Sequence, residues 1–401
     1  MNIALGNLNI RDIDENYNIT VFNFKQGYIG NCGMICAMSN LAANEILFKK
    51  VVPEGQNFDS SNSTEVVFNL YKLGTLYKVK VNKKLPTEND ELISCRSSNK
   101  NLVGPLLEKA LVQLHFGGNY RLSKSVCATV VMSSLTNNFF EDLNFLSNEN
   151  NFRLEEALNH CLKTKSQMAV SFKESVSKYK VEMDHYYNLL EVDNKNKDFV
   201  KLYNPHGEIL SIPKNFLVYN KLKWLAICYY DNKIFEIPEI KTSVSITDKW
   251  PKLEETGYIH YVYYNLKIKE DDTKILMNIS INLDFNHKMQ PTIFIITDNE
   301  KTSVVEHSLS KDPKSDDKLF VHKKSLRANL RSGKYKIVVV VSKWDEIRSC
   351  EECQKYLENV GNEFCFRFAA SKQCLVGKTT KKIRYKIDNA LIDWLLKNRL
   401  L

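Results

Sequence analysis

Two kinds of hydrophobic spacing divide the chain. In its first part, apolar residues recur every three or four positions, the period of a helix with one buried face. Residues 32–47 carry Ile35, Met38, Leu41, Ala42 and Ile46 in that register, and residues 102–116 carry Leu106, Leu107, Ala110, Leu111 and Leu114. Residues 153–163 give a third predicted helix. After these the pattern changes. Residues 168–172, 185–192, 199–203 and 224–230 are short, rich in β-branched and aromatic side chains, and bounded by turn or charged residues, which predicts strands. Helices first and strands afterwards, with no regular βαβ alternation, is the order of an α+β unit.

From Asp231 onward strand-like runs dominate, at 259–268, 274–283, 292–297, 335–341 and 363–369. Charge-rich loops such as 310–318 separate them, a pattern that predicts an antiparallel β-sandwich. The link is expected around residues 232–245, and residues 386–400 read as a short amphipathic helix with Ile387, Leu391, Trp394 and Leu395 on one face. No internal repeat or low-complexity block interrupts this plan.

Composition adds bounds. At 401 residues the chain is long for one core, and 43% hydrophobic with 26% charged residues is ordinary for a globular protein. No apolar run reaches the length of a membrane helix, and the first residues lack the basic flank and apolar core of a signal peptide. The ten cysteines are therefore expected to be free thiols in a reducing, cytoplasmic setting, and the sequons at Asn18, Asn62 and Asn278 carry little weight. The net charge is +9, of which residues 371–401 supply eight Lys/Arg against two Asp, or +6. That tail could touch an anionic membrane, with packing on the sandwich as the plainer reading. The remainder is nearly balanced and gives no reason to expect nucleic acid.

The candidate chemistry lies in four residues. Cys32 follows Gln26 in Gln26-Gly27-Tyr28-Ile29-Gly30-Asn31-Cys32, at the start of the first predicted helix. His185 comes 153 residues later and Asn204 another 19. A thiol attacks a carbonyl only as thiolate, and a helix N-terminus and a neighbouring imidazole both favour that form. Asn204 would hold the imidazole in one tautomer, and Gln26 would stabilise an oxyanion together with the Cys32 N–H. Since His185 opens one predicted strand and Asn204 follows the next, adjacent antiparallel strands would bring both to one sheet end. This is the part list of a papain-type thiol protease. A cysteine at a helix start is, alone, more often packing. Cys36, one turn later, reads as core, with a resolving thiol as the alternative. Cys350 and Cys353 look like half a zinc site, but Cys365 and Cys374 are irregularly spaced partners. Asp312, Asp316 and Asp317 alternate with Lys311, Lys314 and Lys318, as in a solvated loop.

At these residues the sequence resembles the calpain family of cysteine proteases. Val51-Val52-Pro53-Glu54-Gly55-Gln56-Asn57-Phe58 is similar to the family's VVP-x-x-QSF segment, and Val81-Asn82-Lys83-Lys84-Leu85-Pro86-Thr87 to its VDD-x-LPT segment. Leu106-Leu107-Glu108-Lys109-Ala110 matches its LLEKA helix, and Asn204-Pro205-His206-Gly207-Glu208 its NPWGE turn. Gly333-Lys334-Tyr335 resembles the PGEY strand of its sandwich domain. The resemblance implies a two-lobed papain-like catalytic domain over 1–232 (helical lobe about 1–125, sheet lobe about 126–232), a calpain-type β-sandwich over 233–385 and the basic helix at 386–401. It implies limited intracellular cleavage of protein substrates, with Cys32 as nucleophile, His185 as base, Asn204 as orienting residue and Gln26 as oxyanion donor.

The departures matter as much. Gly33 stands where the family usually has Trp, His206 replaces the Trp of NPWGE, and Asn31 replaces an Asp. His206 reads as a substituted lid, or else as a second acid–base group. Asn23 and the run Cys127-Ala128-Thr129-Val130-Val131 replace acidic positions, and no D-x-[DN]-x-[DN]-G loop occurs in the 401 residues. Calcium needs six to eight oxygens, so no cofactor is expected for the chemistry, and calcium as activator is disfavoured. The alternative to a peptidase is a catalytically weak or inactive homologue acting as a binding or scaffold protein. A transglutaminase-like acyl transferase is disfavoured because its third member is an aspartate, not Asn204.

Overall fold

The structure is a computed structural model that describes residues 24–378, except 57, 59–64, 89–90, 98–101, 125, 145–153, 193–197, 219–220, 238, 250–258, 282–288, 298–303, 308, 312–319, 323–324 and 344–362. The predicted helix at 386–400 with Trp394, the positions Asn23, Cys350 and Cys353, and the acidic loop residues Asp312, Asp316 and Asp317 lie outside the described residues. Helices and strands are both abundant, and the α+β expectation holds. Two compact units divide between Asp231 and Asn232.

Unit 1 begins with α1 (Cys32–Ala42) and α2 (Glu45–Val51). The sequence predicts one helix over 32–47, but Asn44 splits it. Its side chain accepts a hydrogen bond from the Leu47 N–H at 3.2 Å and caps α2, so the backbone leaves the helix at that residue. A hairpin follows, β1 (Glu65–Lys72) and β2 (Thr75–Asn82), then the short ladder β3 (Thr87–Glu88) and β4 (Glu91–Leu92). Next come α3 (Val103–Phe116), α4 (Ala128–Thr136), β5 (Phe140–Asn144), α5 (Leu154–Thr164), β6 (Gln167–Phe172), β7 (Tyr186–Val192), β8 (Phe199–Asn204), β9 (Glu208–Pro213), α6 (Lys214–Val218) and β10 (Leu222–Cys228). The last six strands form one antiparallel sheet in the order β5-β10-β6-β7-β8-β9.

α1 is buried on every side, from Gly33 through Leu41. A helix without a polar face belongs in a core, so its polar side chains must find partners there. Ser39 Oγ donates back to the Ile35 carbonyl at 2.7 Å. Asn40 Nδ2 donates to the Met168 carbonyl on β6 at 3.0 Å and to Asn188 Oδ1 on β7 at 2.6 Å. The Cys36 thiol donates to the same Asn188 oxygen. These bonds fix α1 against the middle of the sheet. In β7 and β8, Asn188 faces Tyr203 and Leu189 faces Leu202, so the start of β7 and the end of β8 share one sheet end.

Unit 2 consists of β11 (Thr242–Lys249), β12 (Ile259–Ile268), β13 (Thr273–Ile281), β14 (Met289–Thr297), β15 (Val304–His307), β16 (Leu309–Lys311), β17 (Phe320–His322), β18 (Ser325–Leu330), β19 (Gly333–Lys343), β20 (Glu363–Ala370) and β21 (Cys374–Lys378). They form antiparallel sheets ordered β11-β20-β13-β18 and β15-β14-β19-β12-β21, beside the pair β16-β17. Alternate residues of both sheets meet in one core: Tyr264, Ile293 and Ile337 from the second, Ile275, Met277, Phe366 and Phe368 from the first. Tyr264 stacks on Phe366 at 4.7 Å and 10°. Each of the five strand runs read from the sequence after Asp231 overlaps one of β12, β13, β14, β19 and β20; of the expected loop at 310–318, residues 310 and 311 belong to β16 and the rest lies outside the described residues.

The polar joint between α1 and the sheet gives a test. Asn40→Ala leaves the Met168 carbonyl and Asn188 short of partners, at a cost of about 1–3 kcal/mol. Urea unfolding should show a lower midpoint of that size with an unchanged m-value.

Candidate active site

Cys32 is the first residue of α1, and its thiol meets the backbone amides of the first turn. Burial pushes the thiol pKa up, and backbone hydrogen bonding from Tyr186, Gly33 and Cys32 itself pulls it partly back. The contact with Tyr186 sets the sulfur one residue from His185. No hydrogen bond joins the thiol to the imidazole among those of the described residues.

Asn31, the residue before Cys32, is held by α3. Asn31 is buried and makes no side-chain cap bond to its own helix. Instead its Nδ2 donates to Glu108 Oε1 on α3 at 2.6 Å, while the Cys95 N–H donates to Glu108 Oε2 at 2.5 Å. Gly33 is fixed by space. A Cβ there would lie 2.2 Å from the Val126 carbonyl oxygen, in the segment leading into α4. The backbone approach that sets this end of α1 therefore excludes the tryptophan that the family usually carries at this position.

His185 directly precedes β7 and Asn204 ends β8. His185 Nε2 lies 2.9 Å from Asn204 Oδ1. An amide oxygen only accepts, so Nε2 carries the proton and Nδ1 the lone pair. The His206 N–H also donates to that oxygen, at 3.0 Å. The His206 ring lies parallel to His185 (5°) with centroids 4.9 Å apart, and Tyr187 meets His185 edge-on at 4.9 Å. His206 thus takes the lid position expected from the sequence, as an exposed imidazole in place of a large apolar ring. Burial lowers the His185 pKa, the Asn204 bond raises it, His206 lowers it again and Glu182 raises it, with a net fall. Thiol and imidazole are both pushed toward their neutral forms.

Gln26 lies in the loop before Cys32. Its backbone N–H donates to the Pro205 carbonyl at 2.7 Å, tying this loop to the one after Asn204. Its Nε2 donates to the Ile29 carbonyl at 3.0 Å, leaving one amide hydrogen uncommitted, and its buried Oε1 has no partner among the described residues. The structure brings together His185, Asn204 and the Gln26 loop, with Cys32 against the backbone beside them. Sequence reasoning missed Tyr187, Glu182 and the support given by Glu108 to Asn31. For Glu108 the available signal was a lone carboxylate within an otherwise apolar helix face. Cys36, read as core, is fully buried.

The family model described as "Calpain family cysteine protease" matches residues 12–211, about half of the chain. Calpain-B of Drosophila melanogaster is 34% identical over 116 residues, 29% of this chain and 12% of that protein. Calpain-12 of Homo sapiens is 29% identical over 192 residues, 45% of this chain and 26% of that protein. Calpain-5 of Mus musculus is 36% identical over 103 residues, 24% of this chain and 16% of that protein. The matches thus span between about a tenth and a quarter of the length of these relatives. A clostridial cysteine protease structure aligns over 92% of this chain and 87% of that one, at 12% identity and a TM-score of 0.25. The chain belongs to the calpain family of cysteine proteases.

The Glu108 carboxyl gives this site a pH test. Burial raises its pKa from the usual 4.5 to about 7, against the lowering by the Cys95 and Asn31 bonds. A folded-state pKa above the unfolded one means that the folded chain holds the proton more tightly. Stability therefore falls as pH rises from about 4.5 to about 7 and levels off above, by about 3 kcal/mol in all. Glu108→Gln should flatten that part of the urea-midpoint profile between pH 5 and 8, while wild type keeps its slope.

Proposed function

We propose that the chain is a cysteine endopeptidase cutting protein substrates at limited sites in the cytoplasm, with Cys32 as nucleophile, His185 as base, Asn204 as orienting residue and Gln26 as oxyanion donor. One observation carries the reading: the His185–Asn204 hydrogen bond leaves the Nδ1 lone pair available, and the thiol at the head of a buried helix contacts the backbone of the next residue, Tyr186. The domain plan belongs to the same proposal, with a two-lobed papain-like core over 1–232, a calpain-type β-sandwich over 233–385 and a basic helix at 386–401.

Both groups rest neutral in this reading. When a peptide carbonyl enters, Nδ1 of His185 takes the Cys32 proton as the sulfur bonds to the carbonyl carbon. The negative charge moves to the carbonyl oxygen, where the Cys32 N–H and Gln26 Nε2 donate to it. The C–N bond then breaks, His185 returns the proton to the leaving amine, and a thioester remains. Water, deprotonated by the same imidazole, attacks that thioester, and the thiol leaves protonated. Thiol and imidazole must draw together for the first step, and catalytic hydrogen bonds often tighten only in the substrate complex.

Calcium takes no part in these steps. At Cys127 to Val131, where the family carries acidic residues, α4 begins with a buried turn of Ala128, Thr129, Val130 and Val131, which supplies no carboxylate.

Cleavage of casein by the purified chain, with and without a calcium chelator, tests the reading. Activity should survive the chelator, vanish in Cys32→Ala, and fall about 10²–10³-fold in kcat with little change in KM in Gln26→Ala. Absence of cleavage in every condition would overturn it.

A further inference from the structure

The lid residue brings a second chemistry with it. Ligand atoms of Glu182, His185 and His206 all lie within 4.8 Å of one another. Two imidazoles and one carboxylate are a donor set for zinc and its neighbours, not for calcium or magnesium, which prefer all-oxygen shells. We propose that these three side chains form a Zn²⁺ site with a fourth position open to water, and that filling it takes His185 out of proton transfer.

Three features support this beyond proximity. First, His185 donates Nε2–H to Asn204 Oδ1, which presents Nδ1 as a fixed ligand; a metal-bound histidine commonly gives its other N–H to such an outer partner. Second, the backbone around each exposed ligand is pinned: the Glu182 N–H donates to the Tyr187 hydroxyl at 2.8 Å, and the His206 N–H to Asn204 at 3.0 Å. Third, the Glu182 carboxylate and the His206 ring nitrogens have no hydrogen-bond partner among the described residues. Zinc holds nitrogen at about 2.0–2.1 Å, so the ligand atoms must close in on the ion. Both exposed side chains can turn to do so, while His185 stays seated against Asn204.

The blocking effect rests on the peptidase reading; the binding does not. In the full-length Cys32→Ala chain, titration with Zn²⁺ should show a site of one ion per chain. His206→Ala and Glu182→Gln, made in that background, should each weaken it at least about tenfold. With Co²⁺ as probe, the site should give visible d–d bands without the thiolate-to-cobalt charge-transfer absorption that a cysteine site produces. In wild type, Zn²⁺ should inhibit cleavage reversibly, and less in His206→Ala. No binding, or binding indifferent to both substitutions, overturns the site. Binding as described in a chain that cleaves nothing when metal-free upholds the site and overturns the peptidase reading instead.

Discussion

The burial of α1 on all sides is the constraint on which the rest of unit 1 depends. Cys32 sits at the first turn of that helix, so every contact fixing the helix also fixes the thiol. Three contacts do this from different directions. Asn40 and Cys36 bind it to β7 through Asn188, and Asn40 binds it to β6 through the Met168 carbonyl. Gly33 lets the segment before α4 press against its first turn. Glu108 holds Asn31 from α3. Because β7 is the strand that His185 precedes, the bond network holding the helix also sets the spacing between thiol and imidazole.

The electrostatics follow from the same burial. Removing water raises the thiol pKa and lowers the imidazole pKa, so each group alone favours its neutral form. The stacked His206 adds to the fall on His185, since two cations cannot lie face to face at little cost. A tryptophan lid would seal the Asn204 bond from water without this penalty. The imidazole lid exchanges dryness for a second ligating nitrogen, and the same substitution adds to the fall on His185 and supplies the proposed metal site.

Much of this was legible in the sequence. The strand runs were clear because alternating apolar residues face one core in unit 2, as at Ile275, Met277 and Ile279. Cys32, His185 and Asn204 stand out in the sequence because each sits at or beside an element boundary, where helix and strand patterns start or stop, whereas Gln26 lies in a loop with no such signal. The hairpin β1–β2 was not. Its turn has Leu73 and Gly74 both at positive φ, 51° and 80°, and leucine is not a residue that announces such a turn. The split between α1 and α2 was missed because the apolar period runs through Asn44, and only the cap reveals the break. The Glu108–Asn31 bond joins residues 77 apart in the chain, a pairing that no local spacing encodes.

The proposed peptidase requires Cys32, His185 and Asn204 to act as one unit. Its most direct test is the rate at which a peptidyl epoxide labels Cys32 near neutral pH, followed by mass spectrometry in wild type, His185→Ala and Asn204→Ala. A buried thiol with no base beside it carries little thiolate, so labelling should fall by about two orders of magnitude in His185→Ala and by less in Asn204→Ala. Equal labelling in all three chains, or no labelling of Cys32 in wild type, would contradict it.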